Sequence, residues 1–307
     1  MIKKDIFRGN VKEQLKASAK DRLYGFVMAD GMIRGGCVNA TSMVREMRAN
    51  HGLGVVETLV LGQGYIAAAL LTATMKGKDR IRLTIDCSGP VKGMDVESNV
   101  FGEVRGFLKN PGFSAEASGN EKKVSPFFGA GFLTVTRYLE GAKTPYSGQI
   151  TLEYGDLARD LANYFVQSEQ TPTAFSLSVS FDKKGEVTGA GGLFLQAMPG
   201  ADETVLADAE EKVGSIGSIG EAMAGEVAPR DLVREHFASF SPDFLKDDRV
   251  AFFCRCSRDK MQGHLASLPR KDIVDILDNG PFPVEIICHN CSSRYQFTRE
   301  ELETMKQ

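Results

Sequence analysis

The sequence predicts an α+β protein. It has a mixed N-terminal domain with an antiparallel sheet and packed helices, a helical middle segment, and a small C-terminal four-cysteine domain. Three observations predict this. Short runs of alternating apolar residues, interleaved with amphipathic stretches, fill residues 1–198. The composition turns acidic and helix-like over 199–247. Four of the six cysteines then fall in 248–307 as two close pairs, Cys254/Cys256 and Cys288/Cys291.

In chain order, Arg22–Ala29 and Met32–Asn39 flank Asp30-Gly31, a two-residue hairpin signal because both turn positions favour positive φ. Thr41–His51 reads as a helix with Met43, Val44 and Met47 on one face and Gly52 just past its end. Val55–Met75 is the longest apolar stretch. Glu57, Gly62, Gln63 and Gly64 interrupt it, so it reads as a buried helix and not as a membrane span. Its Gly and Ala content lets other elements pack close. Ile81, Leu83, Ile85 and Cys87 alternate as a strand, and Gly89-Pro90 turns the chain into another near Val91–Val96. Residues 110–125 are loop-like. Strands follow at Gly131–Leu139 and Gly148–Leu152, then a helix capped by Asp156, then a strict alternation at Phe175, Leu177, Val179 and Phe181. Lys184-Gly185 turns that strand toward Val187–Met198. Cys37 and Cys87 read as small core residues.

The middle segment carries eleven acids against four bases, a net of −7. Gly214–Gly220 repeats Gly-Ser-Ile, which has weak helix propensity. The flanking pieces are amphipathic, with Val205, Leu206, Ala209 and Val213 before the repeat and Leu232, Val233, His236 and Phe237 after it. Helices of this kind persist mainly by packing on something, so the segment reads either as a linker or as a piece poised to come loose. His236 reads as a packing residue.

In the last unit, Val250, Phe252 and Cys254 alternate into the first pair. Ser257 can cap a helix carrying Met261, Leu265 and Leu268, and a second helix follows Pro269. Val284–Ile287 and the strand of Tyr295 and Phe297 put the second pair on a hairpin, and Thr298 with Glu301 forms a capping box. Nine bases balance nine acids here.

Two close thiol pairs separated by 31 residues suit one tetrahedral zinc ion held by Cys254, Cys256, Cys288 and Cys291. Four sulfurs leave no open coordination position, which favours a structural role over catalysis. The first pair has one intervening residue where zinc ribbons have two. Zinc keeps the sulfurs deprotonated, the form that oxidants attack, and neighbouring thiols can form disulfides once the metal leaves, so the spacing allows a redox switch. His264 and His289 are spare donors beside a set already complete in sulfur.

The chain has 307 residues and a net charge of −3, with 42% hydrophobic and 25% charged residues, in the range of soluble globular proteins. No basic footprint for nucleic acid stands out. No signal-peptide pattern follows Met1, and paired cysteines without one favour metal in a reducing cytoplasm. Among the four histidines, none has a serine or cysteine partner in a nucleophilic arrangement, and the sequence has no phosphate-binding glycine loop. An enzyme is not expected.

Several segments together resemble one family, the 33-kDa heat-shock chaperonin, a redox-regulated bacterial holdase. They are Leu70–Lys76, Gly89-Pro90, Tyr164–Pro172, Gly191–Pro199, Cys254-Arg-Cys256-Ser-Arg and the run from Cys288 to Phe297, in the family's order. The resemblance implies a zinc-bound, reduced, inactive form. Oxidants and unfolding conditions would convert Cys254–Cys256 and Cys288–Cys291 to disulfides and expel one zinc ion per chain. The C-terminal domain would then unfold, the middle segment loosen, and the chain pair as a homodimer that holds unfolding client proteins without ATP. Domain limits at 1–198, 199–247 and 248–307 follow. The sequence departs from the family at Asp278–Pro283, where two prolines replace an acidic turn. Two other readings compete. One is a family member whose zinc is purely structural. The other is a zinc-ribbon protein contacting nucleic acid, which the balanced C-terminal charge disfavours. No membrane partner is expected.

Overall fold

The computed structural model describes residues 1–4, 20–113 and 124–305. Its elements run β1 (Arg22–Met28), β2 (Ile33–Asn39), α1 (Thr41–His51), α2 (Val55–Leu71), β3 (Arg80–Cys87), β4 (Gly93–Asn99), β5 (Glu103–Leu108), α3 (Ser125–Phe128), β6 (Gly131–Tyr138) and β7 (Tyr146–Thr151). They continue with α4 (Leu157–Glu169), β8 (Thr173–Phe181), β9 (Val187–Ala197), α5 (Glu203–Ser215), α6 (Ile219–Ala224), α7 (Pro229–His236) and β10 (Asp243–Arg249). The chain ends with β11 (Ala251–Phe252), α8 (Arg258–Ala266), α9 (Arg270–Asn279), β12 (Val284–Ile287), β13 (Arg294–Phe297) and α10 (Arg299–Met305).

The expected α+β class holds, with two large sheets where one was foreseen. One has the order β10-β1-β2-β9-β8 and is wholly antiparallel. The other runs β11-β5-β4-β3-β6-β7, antiparallel except where β11 lies parallel to β5. Helix α2 lies between them. Tyr65 through Leu70 are fully buried, which explains an apolar run without a polar face. Two glycines permit this position. A Cβ at Gly62 would meet Val179 of β8 at 3.1 Å, and one at Gly64 would meet the Met94 sulfur of β4 at 2.8 Å. One glycine faces each sheet. The stretch Val55–Thr74 is long and apolar enough to cross a membrane, but 72% of its window is buried inside the fold.

The first sheet is covered on both faces, as strand alternation demands. Leu23, Val38, Ala190 and Phe194 face the core around α2. Phe26, Met28, Ile33, Cys37, Leu193 and Leu195 face the other way, into a second core completed by Ala209, Ile219, Met223, Leu232, Val233 and Phe237 of the middle segment.

Several expectations need correction. The β1–β2 loop spans four residues, Ala29 to Met32, with positive φ at Ala29, Asp30 and Gly31. Within residues 199–247 the helical reading fails at the end, because β10 pairs with β1 and runs through the boundary drawn at 247/248. The Gly-Ser-Ile repeat breaks a helix in two. Gly217 turns at φ 73°, Ser218 caps α6, and Ile219 is fully buried. Strand β5 was not expected, and β4 starts later than the Val91–Val96 reading. Of the loop expected over 110–125, residues 114–123 lie outside the described residues, and Ser125 already starts α3. Leu268 stays partly exposed while Met261 and Leu265 are buried. The caps at Asp156 and Ser257 and the Thr298/Glu301 box form as read.

Candidate metal centre

The first cysteine pair is held by the second sheet. Ala251 and Phe253 donate their amides to the carbonyls of Gly102 (2.8 Å) and Val104 (2.9 Å). Phe252 is fully buried, 6.1 Å from the rings of both His51 and Tyr65. Arg255 then clamps Glu103 through two hydrogen bonds of 2.6 and 2.8 Å. The second pair sits on the turn between β12 and β13. The Cys288 carbonyl accepts from the amides of Cys291 (3.2 Å) and Ser292 (2.7 Å), and the Cys288 amide donates to Ser293 (2.9 Å). This knuckle needs Ser292 at φ 51°, a left-handed conformation that costs about 1 kcal/mol for a residue with a Cβ.

The two knuckles bring all four Sγ atoms within 4.8 Å of one another. Cys254 and Cys288 are 3.8 Å apart, and Cys256 and Cys291 3.4 Å. A metal bonded to four sulfurs at about 2.3 Å in a tetrahedron would set sulfur–sulfur edges near 3.8 Å, so the spacing fits one ion. All six cysteines are free thiols.

The electrostatics favour a cation. Hydrogen bonds from the Cys288 and Cys291 thiols hold Cys254 far below the usual thiol range. The Arg105 guanidinium, 3.8 Å away, assists. The same bonds push Cys288 up to about 11 and Cys291 higher still. Four crowded sulfurs cannot all ionise without a positive charge among them, and the cluster can therefore hold a metal ion. The Tyr295 hydroxyl lies 3.1 Å from the Cys256 sulfur.

The knuckles also rest on the N-terminal fold. Asn50 of α1 donates its side-chain amide to the carbonyls of Cys291 (2.9 Å) and Ile2 (3.0 Å). The ring Nδ1 of His51 is 2.8 Å from the Ser292 hydroxyl, and burial pushes this imidazole down to about 4. The Gly106 amide donates to the Asn290 carbonyl (3.2 Å), and the Tyr65 hydroxyl donates to the Gly106 carbonyl (2.9 Å).

The structure thus brings together the four cysteines named from sequence. His264 and His289 are exposed and outside the sulfur cluster, and His236 sits half-buried at the end of α7. Cys37 is fully buried in the second core, which raises its thiol to about 12, and Cys87 is half-buried. Sequence reasoning missed Asn50, His51 and Arg105. None carries a local signal, since Asn50 lies 241 residues from Cys291.

Two sheets sharing one central helix, a segment strapped over one sheet, and four converging thiols define a class of α+β protein with a C-terminal cysteine cluster. The model of the Hsp33 protein family matches residues 21–298, and the chain belongs to that family. It is 36% identical to the 33 kDa chaperonin of Agathobacter rectalis over 91% of this chain and 96% of that one. It is 33% identical to that of Geobacter sulfurreducens over 93% and 95%. The crystal structure of the 33 kDa chaperonin from Thermotoga maritima superposes with a TM-score of 0.85 at 32% identity, covering 94% of this chain and 98% of that one.

Proposed function

We propose that this protein is a redox-regulated, ATP-independent holdase that binds unfolding proteins during oxidative stress in the cytoplasm. Its ligands would be Cys254, Cys256, Cys288 and Cys291, with one zinc ion per chain. The observation that carries the reading is the pairing of a buried four-thiol cluster with a covered apolar face on the same chain. Membership of a family whose relatives are named chaperonins supports it.

Zinc, when bound, holds the four sulfurs as thiolates and ties the two knuckles together, a contribution worth roughly 10–16 kcal/mol in small metal-folded units. The chain's own residues supply the rest. Oxidation of each thiolate pair, Cys254–Cys256 and Cys288–Cys291, would give two electrons to one hydrogen peroxide, which takes two protons from solvent and leaves as two waters. Each new S–S bond removes two ligands. The 248–307 unit then loses its tie, and β10 and β11, which join it to both sheets, lose their support. The 199–247 segment follows and uncovers Phe26, Met28, Ile33, Cys37, Leu193 and Leu195, an apolar face fit for unfolding clients and for a second copy of the chain. The acidic segment and a chain charge of −3 offer nucleic acid no matching surface.

A second reading, zinc as a purely structural staple, is favoured by one observation. The cysteines are 0–7% exposed, so an oxidant must wait for local opening. One experiment separates the two. Zinc-loaded protein is treated with peroxide at mildly elevated temperature while zinc release, free thiols and suppression of client aggregation are followed together. Loss of zinc and four thiols, with suppression only afterwards, supports the switch. Zinc that stays, or leaves without any gain in holding, makes the site structural.

A further inference from the structure

We propose that Asn50 is a positioning residue that latches the second cysteine knuckle and the start of the chain to the N-terminal fold, and so sets how readily the cluster opens to oxidant. The inference deepens the proposed function and rests on the cluster being oxidation-sensitive.

Asn50 occupies the last turn of α1 and is only 4% exposed, yet its side chain makes three hydrogen bonds to two separate backbone segments. Its Nδ2 donates to Cys291 and Ile2, and its Oδ1 accepts from the Lys4 amide at 2.8 Å. A single amide thereby ties a helix of the N-terminal fold, the chain start and the knuckle that carries Cys288 and Cys291. Ser293 completes the seam. Its hydroxyl accepts from the Ile2 amide (2.9 Å) and lies 3.0 Å from the Ile2 carbonyl. Lys3 reaches Glu46 one turn earlier on α1. Met1 closes over the first pair, with its thioether sulfur 3.3 Å from the Cys254 amide.

The bonds bear on how the buried sulfurs become reachable. Because the sulfurs are buried, oxidation draws on the population of locally opened molecules, which is governed by the free energy of opening and not by intrinsic thiol chemistry alone. Asn50 holds the Cys291 backbone directly. Removing its amide leaves the buried Cys291 carbonyl without that donor, and a buried group left unsatisfied costs more than an average hydrogen bond is worth. The closed knuckle loses ground and the open one gains.

The test compares Asn50→Leu with the wild-type protein, both loaded with zinc. The rate of Cys288 and Cys291 thiol loss under fixed peroxide is read by mass spectrometry, and amide hydrogen exchange is read over 1–4 and 288–293. The expected result is thiol loss about tenfold faster with faster exchange confined to those segments. A cobalt-substituted sample should keep its thiolate-to-metal charge-transfer band, because the four sulfurs are untouched. Asn50→Asp keeps the Lys4 acceptor and the side-chain volume, and gives the same comparison if Asn50→Leu does not fold. Equal thiol-loss rates in variant and wild type would overturn the proposal, as would faster loss accompanied by equally raised exchange throughout both sheets. Because the readouts are thiol loss and exchange, they stand even if oxidised wild-type protein holds no client, the outcome that would instead sink the proposed function.

Discussion

His51 shows how one side chain adjacent to the cluster writes itself into the pH dependence. Burial holds its imidazole at about 4, against 6.5 for an unperturbed histidine. Above pH 6.5 it is neutral in both folded and unfolded chains, and its contribution is fully present. As pH falls from 6.5 toward 4, the unfolded chain takes up a proton that the folded one refuses, so stability is lost across that window and no further below it. Wild type should therefore lose about 2 kcal/mol more than His51→Gln between pH 7 and pH 5, measured by chemical denaturation of the reduced protein. Equal losses would remove His51 from the seam. At this scale the four cysteines were legible, because metal spacing is a local pattern. The residues that seat them were not. Asn50 and His51 read simply as the end of an amphipathic helix, and Gly106 falls in a stretch to which the sequence assigned no element. Their partners lie far along the chain.

Among elements, the middle segment is held by close backbone approach more than by propensity. A Cβ on Gly189 of β9 would sit 2.0 Å from the Gly220 carbonyl oxygen and 2.6 Å from the Ala224 nitrogen of α6. Backbone atoms cannot yield as a flexible side chain can, so even Gly189→Ala should displace α6, at a cost of about 1–3 kcal/mol. The reduced variant should then suppress client aggregation without oxidant, with fast amide exchange over 219–224. A variant that exchanges freely there yet holds nothing would break the link between this segment and activity. Helices α5 and α7 were legible from their apolar faces, α6 less so behind the Gly-Ser-Ile repeat, but β10 was not. It is an edge strand of alternating exposed and half-buried residues, three of them aspartate, and its identity comes from pairing with β1. Strand β5 was hidden because Gly106 interrupts its alternation, and that glycine is required by the Asp95 carbonyl oxygen 2.3 Å from where a Cβ would lie.

At the scale of the whole molecule, the fold class and the cysteine cluster could be read from the chain, whereas the coupling between its parts could not. Between Arg249 and Ala251 the backbone passes from one sheet to the other, immediately before Cys254. The cysteine unit is thus stitched to both sheets, and the segment over the second core lies directly upstream of that stitch. Local pattern reports none of this, because sheet order is set by long-range pairing. Changing the cluster should uncover the far face of the first sheet, and Cys37 is a built-in reporter of it. This thiol is fully buried beneath the middle segment and, with its ionisation raised to about 12, unreactive while covered. The decisive measurement is alkylation of Cys37, followed by mass spectrometry before and after peroxide treatment of zinc-loaded protein, alongside client holding and with half-buried Cys87 as internal reference. The expected result is protection in the reduced protein and modification that rises together with holding activity. Holding that appears while Cys37 stays protected would contradict it.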